Sequence, residues 1–226
     1  MKVMITGADQ GIGRATMDYY INKGHDVIPI AGSVIDPERG GSEKFLRSAI
    51  SRNARPDILI NNYGINRLGW IGKNWVPRMG QLMDVNVNSY YAAIDELAKN
   101  DMSGIRVLNI ASITYRVPQR CSALYCASKA AVVQLTKVMA RELAPSGWVI
   151  NCLSPGKVVG TEMTNKVDEQ VMELRGWNSE SADEYAMSLI PMHRFTTTDE
   201  VSEAIYKINE LPEYINGACI DMAGGV

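Results

Sequence analysis

The sequence predicts an α/β fold in which a doubly wound parallel sheet lies between two layers of helices, giving three layers. Short apolar runs bounded by Gly, Asn or Pro alternate with longer stretches of helical character. Several runs are continuously apolar, as expected of strands covered on both faces, and the regular order of strand, helix and strand indicates a parallel sheet. The predicted strands are Val3–Thr6, Val27–Ala31, Ile58–Asn61, Ile105–Ala111, Trp148–Leu153 and Ala218–Asp221. The predicted helices are Gly13–Lys23, Ser42–Asn53, Pro77–Asn100, Tyr125–Leu143 and Asp199–Asn209.

The composition is that of an ordinary globular protein. The chain has 226 residues, 46% of them hydrophobic and 21% charged, with a formal net charge of −2. These values argue against disorder, and the lack of an apolar run of about 18 residues argues against a membrane span. The near-neutral charge gives no electrostatic footprint for nucleic acid. Because no linker or repeat interrupts the pattern, we expect one domain over residues 1–226.

The four cysteines predict neither a disulfide framework nor a metal site. Cys121, Cys126, Cys152 and Cys219 form no close Cys-x-x-Cys pair, and no cluster of His, Cys and carboxylates has metal-ligand spacing. The first residues read as a strand rather than as a signal peptide. We therefore expect small reduced thiols in a cytoplasmic protein that binds no metal.

The interval between the second and third predicted strands is short. Between Ala31 and Asp57 there is room for the helix Ser42–Asn53 but not for an additional helix and strand. We therefore expect the sheet to be trimmed around its third strand, with at most a rudimentary strand at Val34–Asp36.

A cluster of glycines follows the first predicted strand. Gly7, Gly11 and Gly13 fall within Thr6–Arg14, where the strand turns into a helix. Glycine permits positive φ and close backbone approach. The helix N-terminus offers N–H groups and a positive dipole end that suit a pyrophosphate. The turn therefore predicts a nucleotide site, although a tight turn without a ligand has the same pattern.

Tyr125 and Lys129 begin a long predicted helix and project from one of its faces, since they are four residues apart. A neighbouring ammonium group stabilises tyrosinate, so we expect Lys129 to lower the pKa of Tyr125 from its usual value of about 10. Tyr125 would then serve as a proton donor or acceptor. A surface Tyr and Lys would show the same spacing, and the surrounding motifs decide between the two interpretations.

Further polar and glycine motifs fall at other strand ends, where open parallel sheets bind ligands. In these motifs the sequence resembles the short-chain dehydrogenase/reductase family, over essentially the whole chain. One departure is Tyr63, which stands where the family's Asn-Asn-Ala-Gly motif has alanine. The matching positions are Thr6–Gly13, Asn61–Gly64, Asn86, Ser112, Tyr125, Lys129, Pro155–Gly156 and Asp221–Gly225.

The resemblance implies a Rossmann-like fold and an enzyme that transfers a hydride between a nicotinamide cofactor and a carbonyl or secondary alcohol. It implies that Tyr125 is the general acid in reduction and the general base in oxidation. It further implies that Lys129 lowers the pKa of this tyrosine and binds the nicotinamide ribose. Ser112 would hold the substrate oxygen, and Asn86 would support a water in the proton relay.

The resemblance also implies a set of cofactor contacts. Asn62 and Gly64 would lie near the adenosine side of the cofactor, and Val158 would contact the nicotinamide carboxamide. Thr161 comes one residue later than the family's pattern, which puts its diphosphate contact in question. The implied residues are Gly7, Gln10, Gly11, Ile12, Gly13, Ser33, Asn62, Gly64, Tyr125, Lys129, Pro155, Gly156, Val158 and Thr161.

The choice of cofactor depends on the end of the second strand. An acidic residue there would bind a free ribose 2′-hydroxyl, and its absence favours NADP(H), with NAD(H) as the alternative. Ser33, Arg14 and Arg39 could meet a 2′-phosphate. Against this, Gln10 stands where NADP(H) users of the family often carry Lys or Arg, and Asp36 could restore a preference for NAD(H).

Residues 157–190 are expected to form a lid over a small-molecule substrate, or else a solvated helical hairpin. Seven acidic and three basic residues give this segment a net charge of −4, which disfavours an acidic acyl carrier protein as substrate. A 3-oxoacyl thioester nevertheless stays open as the substrate class. Other open functions are a cofactor-binding regulator without turnover and an epimerase or dehydratase. The resemblance implies a homodimer or homotetramer built on the two long helices.

Overall fold

The computed structural model describes residues 1–32, 41–72, 76–100 and 103–226, which form a parallel sheet flanked by helices. The strands are β1 (Lys2–Thr6), β2 (Asp26–Ile30), β3 (Ile58–Asn61), β4 (Arg106–Ile110), β5 (Val149–Pro155), β6 (Val158–Val159), β7 (Thr196–Thr197) and β8 (Cys219–Met222). Six of them form the main sheet in the order β2-β1-β3-β4-β5-β8, and every pairing is parallel. The chain order reverses between β1 and β3, so a ligand crevice is expected at their carboxyl ends.

The helices cover both faces of this sheet. They are α1 (Gly11–Asn22), α2 (Ser42–Ser51), α3 (Val76–Met83), α4 (Ser89–Asn100), α5 (Ala123–Leu143), α6 (Glu162–Arg175), α7 (Ser179–Ser188) and α8 (Thr198–Asn209). Buried residues of α1 and α8 pack on one face of the sheet, and those of α2, α4 and α5 pack on the other. The predicted three-layer α/β fold is therefore confirmed.

Strand β1 shows why the sequence folds this way. Val3 and Ile5 point into the α1–α8 layer, whereas Met4 points into the opposite layer, and all three are fully buried. A strand that is apolar at successive positions can bury both of its faces only between two helix layers. The carboxyl end of β1 is thereby fixed at the centre of the sheet.

Between β2 and β3, the described residues contain one helix, α2, and no strand beyond β2 at that edge of the sheet. This agrees with the expected trimming for the part of the interval that the structure describes. The possible strand at Val34–Asp36 lies outside the described residues.

The helix predicted over Pro77–Asn100 is interrupted. Helices α3 and α4 are joined by a π-helical turn at Asp84–Asn88. Such turns widen a helix by one residue and often occur at functional sites. Asn86, one of the candidate site residues, lies at the centre of this turn.

The segment expected to form a lid contains α6 and α7. The beginning of this segment is paired with the chain that follows it. Strand β6 runs parallel to β7, and Val158 lies opposite Thr196. In the described part of the chain, none of the helices combines the length and the apolar character that crossing a bilayer requires.

Candidate active site

The glycine turn after β1 is shaped by contacts that leave no room for side chains. Gly7 has φ of +66° and donates its N–H to the carbonyl oxygen of Ile30, 2.7 Å away. A Cβ on Gly13 would collide with the Gly7 carbonyl and lie 2.6 Å from Nδ2 of Asn62. Glycine is therefore required here for close packing of α1 against the end of β1.

The first turn of α1 has no side-chain cap and carries no acidic residue. Gln10, its N-cap residue, makes no side-chain capping bond. The N-termini of α6, α7 and α8 are each capped by a side chain of their own cap residue, whereas those of α2 and α5, like that of α1, are not. The N–H groups at Gly11, Ile12 and Gly13 thus form an uncapped positive helix end, which suits an anionic group.

Asn62 joins the ends of β1 and β3. Its backbone N–H donates to Oγ1 of Thr6 over 2.9 Å, and its Nδ2 donates to the carbonyl oxygens of Thr6 and Gly7 over 3.1 and 3.2 Å. The next residue, Tyr63, places its ring against Gly32, where an added Cβ would lie 2.7 Å from the ring. Tyr63 thus stands where the family has alanine, and its ring covers Gly32, two residues after the end of β2.

The same residue, Gly32, also binds a carboxylate from the glycine turn. Its backbone N–H donates to Oδ1 of Asp9 over 2.7 Å. Strand β2 itself ends without an acid, and this hydrogen bond brings the carboxylate of Asp9 close to the residues that follow the strand. The sequence did not reveal this contact, because 23 residues separate the two positions. Ser33, also predicted to bind the cofactor, lies outside the described residues.

Tyr125, Lys129 and Ser112 come together at the carboxyl end of β4. The Ser112 hydroxyl lies close enough to the Tyr125 hydroxyl to favour the tyrosinate form and so, by itself, to lower its pKa. The Lys129 ammonium nitrogen lies 5.8 Å from the centre of the Tyr125 ring and donates to the Ile110 carbonyl over 2.9 Å. All three predicted side chains are at most 9% exposed. One buried wall therefore presents a phenol, a hydroxyl and an amine together.

The pKa of Tyr125 is not lowered in this structure, contrary to the prediction. Burial raises the pKa of Tyr125 to about 12, and the nearby Ser112 hydroxyl offsets only part of that effect. Burial also lowers the pKa of Lys129 to about 8. The physical reason is that both groups leave water, which disfavours each charged form. At neutral pH Tyr125 is consequently a protonated phenol.

Asn86 is fully engaged by the protein. Its Oδ1 accepts from the Ile65 N–H over 2.8 Å, and its Nδ2 donates to the Ile65 carbonyl and to Oγ of Ser128, each over 3.0 Å. The side chain therefore ties the π-helical turn to helix α5 and to the loop after β3. These bonds hold neighbouring Gly64 close to Lys129, since a Cβ there would lie 3.5 Å from its Nζ.

The residues after β5 close the other side of the crevice. Gly156 donates its N–H to the Met222 carbonyl over 2.9 Å, which fixes the end of β5 against β8. Thr161 caps α6 by accepting from the Thr164 N–H. Its methyl group lies 3.4 Å from where a Cβ on Gly11 would be. The structure thus places Thr161 beside the glycine turn although it comes one residue later than in the family's pattern.

A cavity of about 460 Å³ connects these elements. Of the candidate residues, Gly7, Gln10, Gly11, Gly13 and Asn86 do not line it, although the first four belong to the adjoining turn. Among the described residues, no cluster of three or more His, Cys, Asp or Glu could hold a metal ion. The candidate residues that line the cavity are Ile12, Asn62, Gly64, Ser112, Tyr125, Lys129, Pro155, Gly156, Val158 and Thr161.

Comparison with known proteins gives consistent matches. A family model described as short chain dehydrogenase matches residues 34–172, more than half of the chain. A protein named as a ketoacyl reductase of the monensin polyketide synthase from Streptomyces virginiae is 27% identical, with 99% of this chain and 95% of the relative covered. The 3-oxoacyl-(acyl-carrier-protein) reductase FabG of Staphylococcus epidermidis is 26% identical, with 99% and 97% covered.

Solved structures share the fold. A short chain dehydrogenase family protein from Francisella tularensis superposes with a TM-score of 0.86 at 22% identity, and the match covers 99% of this chain and 97% of that one. At this identity the likeness concerns the fold alone.

Proposed function

The chain belongs to the short chain dehydrogenase family and is an NAD(P)(H)-dependent oxidoreductase, and we propose that Tyr125 exchanges a proton with the oxygen of its carbonyl or alcohol substrate. The observation that carries this assignment is the grouping of Tyr125, Ser112 and Lys129 on one buried wall. That wall faces the cavity which also reaches the uncapped N-terminus of α1.

When bound, the nicotinamide cofactor supplies or accepts the hydride at the substrate carbon. In the reductive direction, the Tyr125 hydroxyl would give its proton to the carbonyl oxygen of the substrate. Ser112 holds the same oxygen by a hydrogen bond. The ammonium group of Lys129 stabilises the tyrosinate that remains, and solvent then returns the proton.

The state of Tyr125 favours the reductive direction near neutral pH. With its pKa raised to about 12, this tyrosine carries the proton that reduction consumes. Oxidation requires the tyrosinate form, which becomes more populated as the pH rises. We therefore propose that the enzyme works chiefly as a reductase at neutral pH and that oxidation accelerates in alkaline solution.

We propose the following roles in cofactor binding. Backbone N–H groups at Gly11, Ile12 and Gly13 hold the diphosphate, and the methyl group of Thr161 packs beside Gly11. Toward the nicotinamide, Lys129 binds the ribose hydroxyls. The remaining contacts come from the predicted residues around these groups: Gly7, Gln10, Asn62, Gly64, Tyr125, Pro155, Gly156 and Val158.

NADP(H) is the proposed preference, because β2 ends without an acidic side chain. Asp9 works against this preference, since its carboxylate lies at the end of β2 and repels a 2′-phosphate. Thermal stabilisation by each cofactor measures the balance, because a ligand at 100 times its Kd adds about 2.7 kcal/mol to the free energy of unfolding.

A 3-oxoacyl thioester is the second candidate substrate, and the relatives named as ketoacyl and 3-oxoacyl reductases favour it. We further propose that residues 1–226 form one domain whose segment 157–190 is a substrate lid. The chain is proposed to act in the cytoplasm as a homodimer or homotetramer. Exposed apolar side chains on the long helices, Tyr91 on α4 and Val138 on α5, support such an interface.

The decisive experiment compares Tyr125→Phe with the wild type on a panel of ketones and 3-oxoacyl thioesters, with either reduced cofactor. Loss of the phenol should reduce turnover by about a hundredfold or more, while stabilisation by the cofactor persists. Tyr214→Phe is the matched control, because Tyr214 is fully exposed. Turnover near the wild-type level in Tyr125→Phe would refute the assignment, and a wild type that binds cofactor without turnover would indicate a regulator.

A further inference from the structure

The charged side chains that line the cavity are mostly basic. They are Arg120, Lys129, Lys157, Asp168 and Arg175. Lys157 neutralises Asp168 at 2.9 Å and also binds Asp183 at 2.9 Å. Lys129 donates one N–H to the Ile110 carbonyl, and the proposed function assigns its ammonium group to Tyr125 and the cofactor ribose. Two guanidinium groups, those of Arg120 and Arg175, therefore remain to face a ligand.

Arg175 packs against a pair of aromatic rings. Its guanidinium carbon lies 4.6 Å from the centre of the Trp177 ring and 5.0 Å from that of Tyr185. The two rings also contact each other, with centres 5.1 Å apart. Rings of this kind hold the guanidinium through its faces and leave its N–H edge available, and that edge matches a carboxylate in two parallel hydrogen bonds.

Arg120 adds a second cation from the loop before α5. Its guanidinium carbon lies 5.4 Å from the centre of the Trp70 ring. Within the described residues, neither Arg120 nor Arg175 forms an ion pair with a carboxylate. Nearby, the Ser122 hydroxyl is buried and has no hydrogen-bond partner in the described part of the chain. Unpaired polar groups in a cavity wall are costly unless a ligand satisfies them.

The negative charge of segment 157–190 lies mostly outside the cavity. Six of its seven acidic residues do not line the cavity, and five of these six are exposed. Only Asp168 lines the cavity, and Lys157 neutralises it. An acidic carrier protein docking on the outside would thus be repelled, whereas a small anion inside the cavity would meet basic groups. The six residues are Glu162, Glu169, Glu173, Glu180, Asp183 and Glu184.

We propose that the substrate is a small oxo acid whose carboxylate is bound by Arg175, with Arg120 contributing a second positive charge. This inference rests on the proposed function and specifies its substrate class. The aliphatic part of the substrate packs on the apolar wall that α6 and α7 provide through Val167, Val171 and Ala186. Reduction converts the ketone of this acid into a hydroxyl group and leaves the carboxylate unchanged.

The kinetic test uses 2-, 4- and 5-oxohexanoate, each compared with its methyl ester, in the wild type. At least one acid should have kcat/KM about tenfold or more above that of its ester, as expected for a charge-assisted contact. In Arg175→Gln this preference should vanish through a higher KM for the acid, while kcat and the rate on the ester stay within about threefold. Arg175→Lys, which keeps the charge and loses the paired N–H edge, should retain part of the preference.

Lys166→Gln is the matched control, since it removes one positive charge from the exposed side of α6, where Lys166 pairs with Glu162. It should leave the acid preference unchanged. The proposal would be overturned if the wild type had the same kcat/KM on each ester as on the corresponding acid. It would also be overturned by a coenzyme A thioester of 3-oxohexanoate that is preferred over every acid, or by an equal loss on acid and ester in Arg175→Gln.

A binding measurement separates this inference from the proposed function. Titration of the preferred acid into Tyr125→Phe, with oxidised cofactor present, reports carboxylate binding without turnover. Adding Arg175→Gln to this variant should raise the dissociation constant of the acid by about tenfold. If acid binding depends on Arg175 but the wild type shows no turnover, the proposed function alone is refuted. If the dissociation constant of the acid is the same with and without Arg175→Gln, this inference alone is refuted.

Discussion

The ammonium nitrogen of Lys129 lies 2.9 Å from the carbonyl oxygen of Ile110, at the end of β4. This bond replaces only part of the hydration that the amine loses, because Lys129 is 4% exposed. Its pKa accordingly falls to about 8, and burial is the cause. The fold thus keeps a destabilising buried amine at the place where the proposed proton transfer would leave a tyrosinate.

This buried amine predicts a specific dependence of stability on pH. Between the folded pKa of about 8 and the unfolded value near 10.5, the unfolded chain binds the proton and the folded chain does not. Stability contributed by this group therefore rises as the pH rises. Relative to Lys129→Met, the wild type should gain about 2 kcal/mol in the free energy of unfolding from pH 7 to pH 9.5. Urea denaturation of both proteins at these two pH values measures the difference, and parallel pH profiles would contradict it.

The close packing at the glycine turn predicts a large effect from one methyl group. In Gly13→Ala the new Cβ meets the Gly7 carbonyl and the amide of Asn62, so α1 has to move away from β1. We expect a loss of about 1–3 kcal/mol in the free energy of unfolding and a loss of cofactor-induced thermal stabilisation.

Gly80→Ala is the matched control for this variant. Gly80 lies inside α3, and a Cβ there meets no atom within 4 Å. It should raise the free energy of unfolding by about 0.5–1 kcal/mol, because alanine loses less backbone entropy in a helix. Normal cofactor binding in Gly13→Ala would show that the turn tolerates a displaced helix.

The hydrogen bond between Asp9 and Gly32 predicts a change in cofactor choice. Asp9→Ser removes the carboxylate that binds Gly32 just beyond β2, and the proposed function expects this carboxylate to repel a 2′-phosphate. The dissociation constant of NADPH should fall about tenfold relative to that of NADH, since one like charge at short range is worth at least about 1.4 kcal/mol. Asp18→Ser, on the exposed face of α1, should leave the ratio unchanged. Calorimetric titration of both cofactors decides, and an unchanged ratio in Asp9→Ser would place the 2′-phosphate away from Asp9.

The features that the sequence predicts are those that depend on local pattern. Tyr125 and Lys129 share a helix face, and continuously apolar strands such as β3 require cover on both faces, so both follow from short stretches of chain. The pKa of Tyr125 did not follow, because it depends on burial by distant segments. The contacts of Asp9 with Gly32 and of Tyr63 with Gly32 did not follow either, since each joins residues that only the folded sheet brings together.

Asn86 was found from a local sequence motif, but its contacts depend on the folded structure. Its position was predicted from the motif, whereas its bonds to Ile65 and Ser128 became visible only in the π-helical turn. Asn86→Ala leaves the buried Ser128 hydroxyl and two backbone groups of half-buried Ile65 without this partner, so the free energy of unfolding should fall by about 2–3 kcal/mol. Turnover should fall with it, because the loop at Gly64 beside Lys129 is no longer held. Asn88→Ala changes an exposed residue of the same turn and should cost less than about 0.5 kcal/mol. Equal losses of stability in the two variants would mean that the turn depends on its backbone alone and that Asn86 does not position the loop.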